Sequence, residues 1–167
     1  MGMQNFSVLE AVEVALMMEE EGIRFYSLAE AKTGAAEMKK LFSFLRDKEH
    51  QHVETFRRLY GELSARASDP DAELWLLDAE VSAYFRAYVD AAVFPTKGSA
   101  ETAIAGLHGI AEILRFALRL EKDSILFYHE LLAHAPWPEA KTLLERVIGE
   151  ERRHVGFIHE KLASLGG

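Results

Sequence analysis

Two stretches of this chain, 10–60 and 112–162, overlay without a gap at an offset of 102 residues. That internal repeat constrains the fold more than any other feature. Fourteen of the 51 aligned positions are identical, among them Glu10/Glu112, Glu19/Glu121, Tyr26/Tyr128, Glu49/Glu151 and His52/His154. Only two copies fit in 167 residues, so the unit is one helix pair used twice and not an extended solenoid.

The chain reads as nearly all helix, with no strand-like alternation of any length. A first helix is expected over about 7–32, opened by the capping box Ser7/Glu10 and broken by Gly34. A second is expected over about 35–60, stopping at Gly61. Helical patterning resumes from Asp71 to about Val93, with Pro70 placed for a first turn, and a short helix from Ser99 to about Leu107 precedes Gly109. Two more are expected over 110–134 and 138–164, separated by Pro136-Trp137-Pro138. The expected fold is all-α: a single domain of two helix pairs, about 7–61 and 110–164, joined by a long crossover over 62–109.

Acidic residues interrupt the apolar stripes of these helices. Glu19 lies between Leu16 and Ile23 on the first stripe, and Glu121 between Leu118 and Ile125 on its repeat. Glu20 and Glu21 lie off the stripe. Glu49 and His52, and again Glu151 and His154, share one face of the second and fourth long helices, because residues three apart are neighbours on a helix. A lone buried carboxylate costs several kcal/mol or takes up a proton, and four together repel. Two divalent cations, total charge +4, neutralise four carboxylates. The expected site is therefore a two-metal carboxylate centre with Glu19, Glu49, His52, Glu121, Glu151 and His154 as ligands. Oxygen and imidazole donors suit iron, manganese or zinc alike. About one Glu-x-x-His is expected by chance in a chain this rich in Glu, and two occur, so the shared offset carries more weight than the motif.

Composition narrows the partners. The formal charge of −8 makes nucleic acid and anionic membrane surfaces poor partners. With no cysteine there is no disulfide, no Cys-ligated zinc and no iron–sulfur carrier within the chain. No apolar run approaches the roughly 18 residues of a membrane helix, and MGMQNFSVLE lacks the pattern of a signal peptide. A cytoplasmic location is expected.

The segments MEEEGIRFY and LEKDSILFY, with RDKEHQHVETF and IGEERRHVGFI, resemble the rubrerythrin-like branch of the ferritin-like di-iron carboxylate superfamily. The resemblance spans roughly 8–60 and 110–162. It implies a ferritin-like four-helix bundle with two metal ions, iron foremost. Glu19 and Glu121 would be terminal ligands, Glu49 and Glu151 bridging carboxylates, and His52 and His154 one imidazole each. Tyr26 and Tyr128 resemble tyrosines that hydrogen-bond ligand carboxylates; the alternative is two ordinary core aromatics. The resemblance further implies reduction of hydrogen peroxide or dioxygen, and a homodimer. Rubrerythrin proper carries a four-cysteine rubredoxin-type domain, so here the electron donor is expected to be external, such as a rubredoxin-like protein. Rubrerythrin also has an extra carboxylate where this chain has Ser124, which leaves two Glu and two Glu-x-x-His in a symmetric set.

Two other readings stay open at this stage. One is ferrous oxidation with iron storage or transfer; the other is a structural zinc protein that binds a partner. His50 is expected to be exposed, and His108, His129, His134 and His159, which lack this patterning, at the surface or its boundary; Arg57-Arg58 and Arg152-Arg153 are expected on solvated faces. The crossover aromatics Trp75, Tyr84, Phe85, Tyr88 and Phe94 either cover one face of the bundle or form a dimer contact.

Overall fold

The computed structural model describes residues 6–66, 77–92 and 97–166. Six helices follow in chain order: α1 (Val8–Lys32), α2 (Ala36–Arg66), α3 (Ala79–Ala91), α4 (Ser99–Ala105), α5 (Ile110–Ala133) and α6 (Pro138–Ser164). α1 and α2 pack as one antiparallel hairpin across a three-residue connection, α5 and α6 as the other, and α1 also packs against α5. This is the ferritin-like bundle of two repeated helix pairs expected from the sequence. No described helix is long and apolar enough to cross a membrane.

Local chemistry sets the helix ends. Ser7 accepts from the Glu10 amide while the Glu10 carboxylate accepts from the Ser7 amide at 2.7 Å, the reciprocal capping box. α2 runs past Gly61 to Arg66, five residues beyond the expected stop. A glycine inside a helix costs only about 1 kcal/mol. Burial of Leu63 offsets that cost, and Arg66 stacks on Trp137 at 4.1 Å, tying the last turn of α2 to the start of α6.

The helix expected over 71–93 is overturned at Leu77 and Asp78, which are not helical: α3 starts at Ala79 behind the extended Asp78; Pro70, Trp75 and Phe94 lie outside the described residues. Asp78 caps α3 by accepting from the Val81 amide at 2.9 Å. α3 packs beside α5 and Phe6, which precedes α1. Phe85 is fully buried against Phe6 and Phe127, and the Tyr88 hydroxyl donates to the Asp123 carbonyl. Tyr84 is exposed. The amide of Phe6 donates to the Ser82 hydroxyl at 2.8 Å, and Leu77 donates to the Phe6 carbonyl, so the chain before α1 is fastened to the start of α3.

α4 is clamped to α1 at both ends. Glu21 is buried and accepts from the amides of Gly98 and Ala100, each at 3.0 Å, at the positive end of α4. Lys32 donates to the carbonyls of Ile104 and Leu107 at the negative end. Glu21 is indeed off the main stripe of α1, yet it is not solvated: α4 makes a second buried face there.

Two apolar clusters fill the bundle. One gathers Val12, Phe56, Phe85, Phe127, Leu144 and Ile148; the other gathers Phe25, Phe42, Leu45, Leu114, Leu120 and Ile158. The acidic layer lies at the level of α1 and α5 between them, and it breaks an otherwise continuous core.

Candidate metal centre

Each hairpin delivers one Glu from its first helix and a Glu/His pair from its second. All six residues are buried, none more than 4 % exposed. Their donor atoms fall into two groups of four, Glu19–Glu49–His52–Glu151 and Glu49–Glu121–Glu151–His154, with the atoms of each group within 4.8 Å of one another. Glu49 and Glu151 occur in both groups. That overlap matches two cations sharing two carboxylates, with Glu19 and Glu121 each serving one alone. The histidines face the same way. Nδ1 of His52 lies 3.1 Å from Glu151, 3.3 Å from Glu49 and 3.5 Å from Glu19. Nδ1 of His154 lies 2.8 Å from Glu151 and 3.3 Å from Glu121.

The two tyrosines cross between hairpins. Tyr26 on α1 donates to Glu121 on α5, and Tyr128 on α5 donates to Glu19 on α1. Both rings are fully buried. They are therefore more than core aromatics: each hydroxyl fixes the carboxylate that the opposite hairpin contributes. Gly22 lies against this layer: a Cβ there would touch Glu49 Cγ at 3.4 Å, an ordinary contact distance. Its repeat equivalent is Ser124, also small and buried.

Burial and mutual repulsion split the acids into two kinds. Burial, then the charges of Glu151 and Glu19, hold the Glu49 carboxyl well above the usual range. Burial, then Glu121 and Glu19, do the same to Glu151. For Glu19 burial pushes upward, but the hydrogen bond to Glu49 and the nearby His52 outweigh it and lower its pKa. Burial of Glu121 is likewise outweighed by the hydrogen bond and charge of His154. Burial alone would lower both histidines; the Glu19 charge raises His52, and the hydrogen bond to Glu121 raises His154. Burial and the Glu121 charge push Tyr26 up, and burial and the Glu19 charge push Tyr128 up, so both stay protonated as donors.

Without cations, then, protons neutralise the layer. Oxygen and imidazole donors at this spacing fit two divalent cations, whose charge would replace those protons.

One contact was not foreseen. Glu150 places Oε2 3.3 Å from Nε2 of His52, the nitrogen that faces away from the cluster. The repeat offset hides it, because position 48 is a lysine. The remaining histidines lie where the sequence put them: His50, His108, His129 and His159 are exposed, and His134 is half-buried beside Glu130. Arg57, Arg58, Arg152 and Arg153 are exposed as well.

Residues 3–60 match the family model described as rubrerythrin. No curated protein matches the chain. Among solved structures, the chain is similar to a Thermotoga maritima protein described as a candidate ferritin-like diiron-carboxylate protein. The two share 24% identity with a TM-score of 0.72, over 97% of this chain and 98% of that one. The family match spans the first hairpin; the second is tied to it by the internal repeat and by the shared bundle.

Proposed function

From a rubrerythrin-like first hairpin in a ferritin-like bundle, we propose that this chain holds two metal ions, iron foremost, and reduces hydrogen peroxide or dioxygen with electrons from a separate donor. The observation that carries this reading is the membership of Glu49 and Glu151 in both ligand groups. One cation would offset only two of the four carboxylates and leave the others to be neutralised by protons. Manganese or zinc would satisfy the same donors; iron is favoured by the likeness to the diiron-carboxylate description.

In this reading Glu19 and His52 would hold one ion, Glu121 and His154 the other, and Glu49 and Glu151 would serve both. Six ligand side chains leave positions for a small oxidant. When bound in the reduced state, two iron ions supply two electrons, and hydrogen peroxide with two protons leaves as two water molecules. The chain's own part is to orient and to insulate. Tyr26 and Tyr128 keep their protons and hold Glu121 and Glu19 in place. The two apolar clusters keep bulk water from either end of the layer. None of these 167 residues is a cysteine, and a rubredoxin-like protein is the kind of donor proposed. The assembly proposed is a homodimer.

Anaerobic protein loaded with ferrous iron should be oxidised by hydrogen peroxide or oxygen faster than free ferrous iron in stopped-flow mixing. Rates equal to those of free iron would reject the redox role. A dimer on size-exclusion chromatography is expected, whereas a large hollow shell would point to iron storage.

A further inference from the structure

The repeat is nearly symmetric in its ligands and sharply asymmetric one layer out. On the outer side of His52, Nε2 faces Glu150 at 3.3 Å, Arg146 lies 4.0 Å from the other oxygen of Glu150, and Arg146 donates to Thr55 at 3.4 Å. Moving by 102 residues replaces each member of this polar set: Glu150 by Lys48, Arg146 by Phe44 and Thr55 by Phe157. Around His154 the structure follows that change. Phe44 presents its ring to His154 at 6.2 Å and packs on Phe157 at 5.7 Å. Both phenylalanines are exposed and line a groove of about 450 Å³ between α2 and α6. Lys48 turns to Gln51 at 3.1 Å and lies over Phe44. An ammonium only donates, so Lys48 cannot accept from an imidazole N–H.

His52 is thus held at both ring nitrogens. With Nδ1 toward the cluster, the Nε2 proton is donated to Glu150. A carboxylate in that place fixes the ring's orientation and makes the facing nitrogen a better donor to a metal; its loss typically costs 10–100-fold in metal affinity. We propose that Glu150 is a positioning residue that makes the two metal positions unequal. The position formed by Glu19, Glu49, His52 and Glu151 fills first and empties last. The position formed by Glu49, Glu121, Glu151 and His154, beside the aromatic groove, fills second and exchanges first. This inference rests on the two-metal reading above.

Titration of the metal-free protein with Co²⁺, followed by visible absorption and calorimetry, tests it. The unaltered chain should bind two ions in two resolved steps. Glu150→Ala should weaken the first step by about 10–100-fold and merge it with the second. Glu150→Gln, whose amide oxygen still accepts from Nε2–H, should restore most of the loss. Lys48→Ala, the repeat-equivalent change, should leave both steps alone. In the Zn²⁺-loaded protein, the His52 Nε2 proton should exchange slowly by NMR in the unaltered chain and in Glu150→Gln, and quickly in Glu150→Ala. An unchanged first step in Glu150→Ala, equal weakening of both steps, or an equal effect of Lys48→Ala would overturn the inference while leaving two-metal binding intact. An unaltered chain that takes up fewer than two ions would overturn the two-metal reading and this inference with it.

Discussion

At the scale of single residues, the informative positions are acids in apolar company. Glu19, Glu49, Glu121 and Glu151 were legible because a carboxylate in a core stripe has no cheap explanation, and because each recurs 102 residues on. The tyrosines were legible as a pair, but not their crossed partners, since spacing along one helix says nothing about which neighbour a hydroxyl will meet. Glu150 was illegible for the reason that made the others visible: symmetry was the signal, and Glu150 departs from it. Removing a ligand should uncouple metal from fold. Glu19→Ala or His154→Ala should lower bound metal from two ions to one or none, while circular dichroism shows helix content close to that of the parent chain. Full metal content in either variant would contradict the ligand assignment.

Among the elements, helix periodicity and capping chemistry located four of the six described helices to within about two residues, the usual uncertainty of a helix end. α3 starts only at Ala79, behind its Asp78 cap, and not at Asp71; α2 runs longer than expected, and it shows how tertiary burial overrides a local break. Gly61 is exposed and cheap, and the buried Leu63 carries the helix onward. α4 was legible as a helix but not as a docked one. Its seven residues are too few to be stable alone. They persist because Glu21 and Lys32, three turns apart on α1, bond its two ends. Glu21→Ala removes a buried acceptor from two amides, a loss of about 1–3 kcal/mol. Amide exchange should accelerate across α4 ahead of the rest of the bundle. If α4 exchanges no faster in Glu21→Ala than in the parent, the clamp is not what holds it.

Across the whole molecule, stability and metal loading are joined through protons. His52 and His154 have raised pKa values, and so do Glu49 and Glu151. A raised group favours the fold below its ordinary value, 6.5 for His and 4.5 for Glu, and that contribution is lost as pH climbs through the folded value. Glu19 and Glu121 are lowered, so their contribution is present above 4.5 and lost as pH falls. The metal-free layer therefore holds protons on Glu49, Glu151, His52 and His154 to higher pH than the free groups would. Two cations displace those protons, so loading should release protons, and affinity should fall as pH drops. Calorimetry in buffers of different ionisation enthalpy measures the number. Release of fewer than about one proton per ion would mean that the layer is already deprotonated and that the charge balance drawn here is wrong.

The crossed tyrosines also bear on ancestry. Because Tyr26 reaches Glu121 and Tyr128 reaches Glu19, neither hairpin closes its own hydrogen-bond circuit. The smallest self-sufficient unit is two hairpins facing each other about an axis, and identical copies from separate chains would satisfy that geometry. Fusing them through the 62–109 crossover frees each half to diverge outside the ligand set, and the Lys48/Glu150 pair shows that divergence.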